Sequence, residues 1–446
     1  MTTLRIAWLL SRRTASDRTT VALPVIAFAV VTALLLIVSG GAQAFFSWTG
    51  QTAFLYQLLA VVALALLIVP LVALGGSAAR LSARRRDDRL ASLRLMGATP
   101  GMVSALTVIE STVLALAGAL AGVVIYLVTL PLVGLLPFRG APLGAQAVLL
   151  HPVLIALAVL AIGALAAISA MVGLRSVIVS PLGVRTKQTA PRMHWVRVVV
   201  GVAVVVVTFL AMSALQLAAG FGIVLAVLAL GFGGTVAVLN LVGPWVIRLV
   251  ASGQAKRART VTRLLSARSI LESPKAAWRQ VAGVAMTSFM AVFAGVGVAL
   301  LGAANDQRHA NPEDLQLFTD VRTGVIVTVV ASFLMVACSV GVNQASAVLD
   351  RRELYVSLDR LGMPEATMNA ARSRAIMSPL RITTIGSALT AGIVIFPLTG
   401  FALLVAPASI AMIVGCLAAG ILIVWLGQLA TRPVLSRVLA DQSPSL

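Results

Sequence analysis

The chain has 446 residues, of which 60% are hydrophobic and only 11% are charged, with a formal net charge of +20. Soluble globular proteins average roughly 45–50% apolar and about 25% charged residues. So many apolar residues leave too little polar surface to face water, which excludes an ordinary soluble enzyme and a disordered chain. The composition is typical of a protein that crosses a membrane several times. The positions of the basic residues decide whether the net charge indicates nucleic acid.

Ten apolar runs in the sequence are long enough to cross a bilayer as a helix, which takes roughly 20 residues. The sequence therefore predicts an all-α, polytopic membrane protein with about ten transmembrane helices. The first run is longer than the core of a signal peptide, which has about 7–15 residues, so we interpret it as an uncleaved span. In chain order, the predicted spans are residues 21–40, 54–79, 104–130, 152–174, 198–217, 223–247, 281–301, 324–342, 380–397 and 403–430.

The basic residues are concentrated on alternate connections between these spans. The five connections that follow the odd-numbered spans carry only three cations, Arg139, Arg308 and Arg322. The other 31 of the 34 Lys and Arg lie in the remaining connections, in the termini or at the span ends beside them. Short cytoplasmic loops concentrate Lys and Arg because positive segments are difficult to translocate. We therefore expect an even number of spans with both termini in the cytoplasm, and the net charge does not indicate nucleic acid.

Two charged segments of the chain are similar to each other at a spacing of 265 residues. Residues 86–97 are Arg-Asp-Asp-Arg-Leu-Ala-Ser-Leu-Arg-Leu-Met-Gly, and residues 351–362 are Arg-Arg-Glu-Leu-Tyr-Val-Ser-Leu-Asp-Arg-Leu-Gly. Each segment predicts a short amphipathic helix on the cytoplasmic side, with Gly97 or Gly362 placed to end it in a left-handed turn. Pro364 is placed to open the helix that follows the second copy.

A weaker match at a spacing of 255 residues relates Leu9-Leu10-Ser11 to Leu264-Leu265-Ser266. Both lie on short basic segments whose apolar residues have helical spacing, which favours a helix lying along the inner membrane face. The two matches together divide the chain into three parts. These are a first four-span repeat at residues 1–197, a two-span insert at residues 198–250 and a second four-span repeat at residues 251–446.

The first copy also carries a resemblance to a known family. Residues 85–100, followed by Ile109-Glu110 and the small-residue run at 116–122, resemble the FtsX-like permease domain. The layout of four, two and four spans is similar to that of BceB-type permeases of ABC transporters. The large extracytoplasmic domain that many BceB-type and MacB-type relatives carry is absent, because the corresponding connections are only residues 302–323 and 41–53.

The resemblance implies a permease subunit in a bacterial plasma membrane, in contact with membrane lipid and with ABC ATPase subunits, expected in two copies, and with no nucleic acid. It further implies that the two charged segments are coupling helices that rest in grooves of the ATPases. The residues assigned to ATPase coupling on this basis are Arg86, Asp87, Asp88, Leu93, Leu95, Gly97, Arg351, Arg352, Glu353, Leu358 and Gly362.

No P-loop pattern occurs in the chain, and none of its three lysines follows a glycine, so we expect ATP and Mg²⁺ on the partner ATPase and no cofactor bound directly. The sequence also contains no recognisable pattern of a catalytic nucleophile with its base or of metal ligands, so no catalytic residues are assigned. The function that the resemblance implies is export or extraction of a lipophilic or amphipathic compound, such as an antimicrobial peptide, a drug or a lipid. An ion-coupled secondary transporter and a membrane regulator or adaptor without transport are the alternatives.

Few polar residues fall within the predicted spans. Glu110 is the only one of the 14 acidic residues inside a span, near its cytoplasmic end, while Asn240 and Asn343 are polar without being able to carry a proton. Ion-coupled carriers usually place ionisable residues at mid-membrane, so this scarcity disfavours a secondary transporter.

The connection at residues 302–323 is predicted to be an extracellular acidic loop with a net charge of −2. Such a segment is either an ordinary solvated loop or a surface that attracts cationic peptides or lipid head groups. Its acidic residues are Asp306, Glu313, Asp314 and Asp320.

Two sets of small residues occur at a spacing of four, Gly118 with Gly122, and Ala411 with Gly415 and Ala419. Small residues at this spacing let two helices approach closely. We favour tight packing within the chain for both sets, with dimerisation as the alternative.

Overall fold

The computed structural model describes residues 18–50, 53–61, 63–64, 67, 71, 100–178, 195–214, 221–307, 312–350, 352–399 and 407–429. Almost all of these residues are helical, which confirms the predicted all-α fold. Within these ranges, eight helices are long and apolar enough to cross a membrane, and a shorter apolar helical stretch covers residues 413–427. The protein is therefore an all-α, polytopic membrane protein.

The first part of the chain consists of helices and one small hairpin. The elements are α1 at Arg18–Phe46, α2 at Pro100–Gly134, β1 at Pro137–Phe138, β2 at Ala141–Pro142, α3 at Ala145–Val148 and α4 at Pro152–Ile178. Strands β1 and β2 pair antiparallel, Pro137 with Pro142 and Phe138 with Ala141. After α1, residues 53–61 are also helical, and most of the second predicted span, at residues 54–79, lies outside the described residues.

The remaining part of the chain is described as helices alone. They are α5 at Val196–Ala214, α6 at Phe221–Lys256, α7 at Val261–Glu272, α8 at Pro274–Gln307, α9 at Pro312–Asp350, α10 at Arg352–Arg360, α11 at Glu365–Thr399 and α12 at Pro407–Leu429.

Several helices extend well beyond the spans predicted from hydropathy. The longest extension is in α11, which begins at Glu365, 15 residues before the predicted span at 380–397. Hydropathy marks only the part of a helix that lies in lipid, whereas the backbone hydrogen-bond ladder continues through polar residues such as Arg372 and Arg374. The existence of this span was predicted correctly, and the N-terminal extension of its helix was missed.

The chain forms two compact units, defined by backbone contacts. The first comprises residues 1–186, 334–356 and 427–446, and the second comprises residues 187–333 and 357–426. In the second unit, the helices of the predicted two-span insert, α5 and α6, both pack against α11. These compact units differ from the two repeats and the insert that the sequence predicts. That division into repeats stays a prediction.

The core of the first unit lies between α1, α2 and the connection that follows α2. Leu36, Leu130 and Leu150 form one buried cluster with Val148 and Tyr126. The Tyr126 hydroxyl donates to the Val148 carbonyl at 2.7 Å and accepts from the Leu150 amide at 2.9 Å. Two backbone groups that would otherwise be buried without partners are thereby satisfied, which fixes the connection against the ends of α1 and α2.

The core of the second unit is formed by α6, α8, α11 and α12. Phe289, Ile395 and Ile413 belong to its buried cluster, and Phe232 and Phe293 pack against them. The ring centroids of Phe232 and Phe289 are 5.3 Å apart, within the range of favourable aromatic pairs.

Apolar side chains also cover much of the outside of the helices. Val128, Leu160 and Val207 are 74%, 67% and 65% exposed, on α2, α4 and α5 respectively. In water, such surfaces would cause aggregation, whereas lipid chains solvate them at no cost. The apolar exterior is therefore consistent with a protein whose helices face lipid.

Candidate functional site: the α10 turn and the polar residues of the spans

The second charged segment forms α10 and a tight turn that leads into α11. Gly362 has a φ of +79°, in the left-handed region. The Gly362 amide donates to the Asp359 carbonyl at 2.8 Å, and the Met363 amide donates to the Leu358 carbonyl at 3.0 Å. This pair of hydrogen bonds is the Schellman motif, which satisfies the last carbonyls of a helix and requires a residue that tolerates positive φ. The predicted left-handed turn at Gly362 is confirmed.

The next helix begins directly after this turn. The Thr367 and Met368 amides donate to the Pro364 carbonyl at 3.0 and 3.2 Å, and the first residue of α11 is Glu365. Pro364 therefore precedes the helix as its cap residue, one position before the place predicted for it. Only residues 361–364 separate α10 from α11, so the two helices are joined by a short turn with defined hydrogen bonds.

The turn carries an apolar side chain on the surface of the protein. Leu361 is 82% exposed, and Asp359 and Arg360 beside it are also exposed. Leu358, which was assigned to ATPase coupling, is half-buried instead. Leu361 is therefore an apolar side chain that lies beside two charged ones and is accessible to another molecule.

The other residues assigned to coupling lie partly outside the described residues. Arg352 and Glu353 are in the first turn of α10, and Leu354 next to them is 51% exposed. The residues outside the described part of the chain are Arg86, Asp87, Asp88, Leu93, Leu95, Gly97 and Arg351.

The polar residues predicted within the spans occupy different surroundings. Glu110 is exposed on α2, close to the start of the apolar stretch Val108–Gly134, which agrees with its predicted place near a span end. Asn343 is half-buried in α9. The structure does not bring these residues together in one site.

Asn240 contributes a hydrogen bond between two helices. Its Oδ1 accepts from Nε1 of Trp278 at 3.1 Å, which joins α6 to the first turns of α8. The Trp278 ring lies against Gly243, one turn further along α6, where a Cβ would collide with the ring. Asn240 was predicted as an intramembrane polar residue, and its partner Trp278 was missed because nothing in the local sequence connects residues 38 positions apart.

The predicted extracellular acidic loop is helical in the structure, which corrects the expectation of a loop. Asp306 lies in the last turn of α8, and Glu313, Asp314 and Asp320 lie in α9, so only residues 308–311 fall outside the described helices. Pro312 at the helix start, followed by two acidic residues, favours a helix N-terminus. A loop was predicted because the segment is polar. Asp320 is only 3% exposed, so it is not part of a solvated acidic surface.

The two sets of small residues have different roles. Gly118 and Gly122 lie against α1, where added Cβ atoms would come within 2.7 and 2.5 Å of its atoms, which confirms tight packing within the chain. Ala411, Gly415 and Ala419 are exposed on α12, and a Cβ on Gly415 would meet nothing within 4 Å. No described helix packs against Ala411, Gly415 and Ala419. Within the described residues, the prediction that this set packs tightly inside the chain is therefore wrong.

An aromatic cluster at one end of the first unit was also missed from the sequence. The guanidinium carbon of Arg139 lies 4.4 Å from the ring centroid of Trp48 and 5.3 Å from that of Tyr56. Arg139 has a φ of +52° at the tip of the β1–β2 hairpin, a conformation that side chains other than glycine rarely adopt. The cation–π contacts hold the strained residue in place, so the hairpin is fixed over the connection that follows α1.

Metal-binding side chains do not cluster in the described ranges. No three His, Cys, Asp or Glu side chains come together there to hold a metal ion. The thiols of Cys338 and Cys416 are free and half-buried in α9 and α12. The α10 turn, with its exposed Leu361, is therefore the candidate functional site.

Comparison with known proteins finds no matching family model and no curated protein with significant similarity. The resemblance to FtsX-like permeases thus rests on the sequence motif and the predicted layout of spans, whereas the multi-pass helical membrane fold is established by the structure.

Proposed function

We propose that this protein is the permease subunit of an ATP-driven ABC transporter. In this function, the chain exports or extracts a lipophilic or amphipathic compound, and separate ATPase subunits bind and hydrolyse ATP with Mg²⁺. The observation that supports the proposal best is the geometry of α10 and its turn.

The turn has the mechanical properties that coupling requires. α10 follows α9 after a single residue and is joined to α11 by residues 361–364, and both neighbours contain long apolar stretches, Gln316–Gln344 and Glu365–Pro397. The Schellman hydrogen bonds at Gly362 give the turn one defined conformation. A displacement of the turn by a partner would therefore be passed to α11 instead of being absorbed in a flexible loop.

The surface of the turn also suits a protein partner. Leu361 offers an apolar anchor, and the neighbouring Asp359 and Arg360 provide charges of both signs that select a complementary surface. Leu361 is 82% exposed and belongs to no buried cluster of the described residues, so it is free to be covered by a partner.

The size of the connections supports a cargo that arrives from the bilayer. The regular elements of the connection between α2 and α4 are a hairpin of two strands with two residues each and the four-residue helix α3. A segment this small offers no pocket for a bulky soluble ligand, whereas the apolar helix faces are open to lipophilic molecules.

The proposal is tested by co-expressing the chain with an ATPase encoded by a neighbouring gene and isolating the complex. Leu361→Asp should reduce co-purification of the ATPase by more than about tenfold. In the complex, the substitution would bury a charge in the interface with the ATPase, where the leucine makes an apolar contact. Leu135→Asp is the matched control, since Leu135 is 67% exposed in the connection after α2 and should retain the ATPase. If the Leu361→Asp protein still assembles with the ATPase and still shows substrate-responsive ATP hydrolysis, the coupling role of the turn is wrong.

A further inference from the structure

α7 is held at the end of two membrane-length helices. The apolar stretch Leu230–Lys256 of α6 ends four residues before α7 begins, and the stretch Pro274–Val296 of α8 starts one residue after α7 ends. Since each residue spans at most about 3.3–3.6 Å, these connections are too short for α7 to move away from the ends of the spans. α7 is therefore held close to the ends of these two helices.

One face of α7 packs against the rest of the protein. Ser266, Ala267 and Ile270 are buried, and α7 packs against α6 and α11. The Thr260 side chain accepts a hydrogen bond from the Arg263 amide at 3.4 Å and caps the helix. The orientation of α7 on the protein is therefore defined, and so is the face that it turns outward.

The outward face combines apolar and basic side chains. Val261 and Leu264 are 60% and 43% exposed, and Arg268 is exposed with them. These residues follow the i, i+3, i+7 spacing, which places them on one stripe of a helix. A stripe facing water would not need Val and Leu, and one buried in lipid chains would not carry Arg, so this combination is typical of the lipid head-group region.

The charge around this stripe is strongly positive. Residues 256–279 contain seven Lys and Arg and one acidic residue, Glu272. Arg257 and Arg259, in the turn before α7, and Arg263, in its first turn, are exposed. Guanidinium groups form paired hydrogen bonds with phosphate oxygens, and a cluster of them attracts an anionic membrane surface.

We propose that α7 and the turn at residues 257–260 bind the head groups of anionic phospholipids. Val261 and Leu264 insert between the upper parts of the acyl chains, and Arg257, Arg259 and Arg268 contact the phosphates. Arg263, which is exposed on another side of the first turn of α7, adds positive charge near this surface. The site binds lipid rather than a free anion because the apolar pair lies on the same exposed face as Arg268. This assignment does not depend on the ABC-transporter function and holds for any function of the chain.

The test measures lipid binding to the purified full-length protein in detergent. Phosphatidylglycerol is expected to raise the melting temperature and to remain bound in native mass spectrometry, whereas phosphatidylcholine at the same concentration is expected to do neither. Replacement of Arg257, Arg259, Arg263 and Arg268 by Gln should weaken phosphatidylglycerol binding by at least about a hundredfold, because each basic residue near a membrane surface contributes severalfold to affinity.

Three further variants separate charge, insertion and folding. Lys at the four arginine positions should retain binding, and the Arg139→Gln control, which removes a cation outside the proposed site, should bind like the unaltered protein. Val261→Ser with Leu264→Ser leaves every charge in place and should weaken binding by at least about tenfold, since the inserted apolar area is lost. If the fourfold Gln protein does not fold, Arg268→Gln alone should weaken binding by about fivefold.

Three outcomes would overturn the proposal. The first is equal binding of phosphatidylglycerol by the unaltered and the Gln proteins, which is also the result expected if this surface served an acidic protein partner. The second is equal binding of phosphatidylcholine and phosphatidylglycerol. The third is displacement of phosphatidylglycerol by inorganic phosphate at the same concentration, which would identify a free-anion site.

Discussion

Gly122 of α2 lies directly against Thr32 of α1. A Cβ on Gly122 would be 2.7 Å from the Thr32 Cβ and 2.5 Å from the Ala29 carbonyl oxygen, both far inside van der Waals contact. Gly118, one turn earlier, approaches Val25 and Phe28 in the same way. The absence of side chains at these two positions lets the backbones of α1 and α2 meet, and this close approach is the basis of the first unit.

A related arrangement occurs in the second half of the chain. Thr32 is fully buried, and its hydroxyl donates to the Phe28 carbonyl at 2.7 Å. Thr287 in α8 follows Thr32 by 255 residues, the same spacing as between Leu9 and Leu264, and its hydroxyl donates to the Gly283 carbonyl at 2.9 Å. α8 packs against α11, as α1 packs against α2. Thr208 and Thr235 make the same hydrogen bond one turn back along their own helices, so this bond is common among the helical threonines of the chain and the internal duplication stays a prediction.

Gly122→Ala should destabilise the protein by about 1–3 kcal/mol, because the added methyl group must push α1 and α2 apart. Gly233→Ala is the matched control, since Gly233 lies inside α6 with open space around its missing Cβ. Its substitution should be neutral or should stabilise the helix by up to about 1 kcal/mol. Thermal unfolding in detergent, followed by circular dichroism, measures both effects, and equal melting temperatures for the two variants would contradict the close α1–α2 approach.

Asn240→Ala should destabilise the protein by about 1–3 kcal/mol, because the indole N–H of the buried Trp278 would lose its acceptor. Trp278→Phe removes the donor, and in that background the Asn240 substitution should cost much less. A double-mutant cycle on the free energy of unfolding isolates this pair. A coupling energy near zero would show that the two side chains act independently.

The orientation derived from the basic connections predicts which exposed positions face the outside of the cell. Ala141 in the β1–β2 hairpin and Arg360 in α10 are both exposed, and they belong to connections of opposite predicted sides. In a background with Cys338→Ala and Cys416→Ala, Ala141→Cys should react with a membrane-impermeant thiol reagent in intact cells. Arg360→Cys should react only in inverted vesicles. The reverse labelling pattern would mean that the termini are outside the cytoplasm.

The features predicted correctly from the sequence are those with a local cause. The apolar runs indicated the membrane-length helices in the described part of the chain, since about 20 apolar residues are needed to cross a bilayer whatever their neighbours are. Gly362 marked a left-handed turn because few other residues adopt positive φ at low cost. The expectation of an acidic loop at 302–323 was wrong because polarity alone does not end a helix, and Pro312 with Glu313 favours starting one.

The features that sequence reasoning missed are contacts between distant residues. The Asn240–Trp278 hydrogen bond and the Arg139–Trp48 contact join different elements, and no periodicity or motif relates their members. Likewise, Gly118 and Gly122 and the set around Gly415 have the same spacing, yet only the first pair is covered by a neighbouring helix. Spacing shows that a helix can be approached closely, whereas the partner depends on how the helices are arranged.

By itself, the sequence determined that this protein is helical and crosses a membrane many times, because hydropathy and the charge of connections act locally along the chain. It also marked the α10 turn as a repeated, charged segment. Only the tertiary structure decided which helices pair, that Leu361 is exposed while Leu358 is half-buried, and that α7 turns an apolar and basic stripe outward. Those properties depend on which surfaces are covered by other parts of the chain, and apolar helices of similar composition carry too little local information to specify their own neighbours.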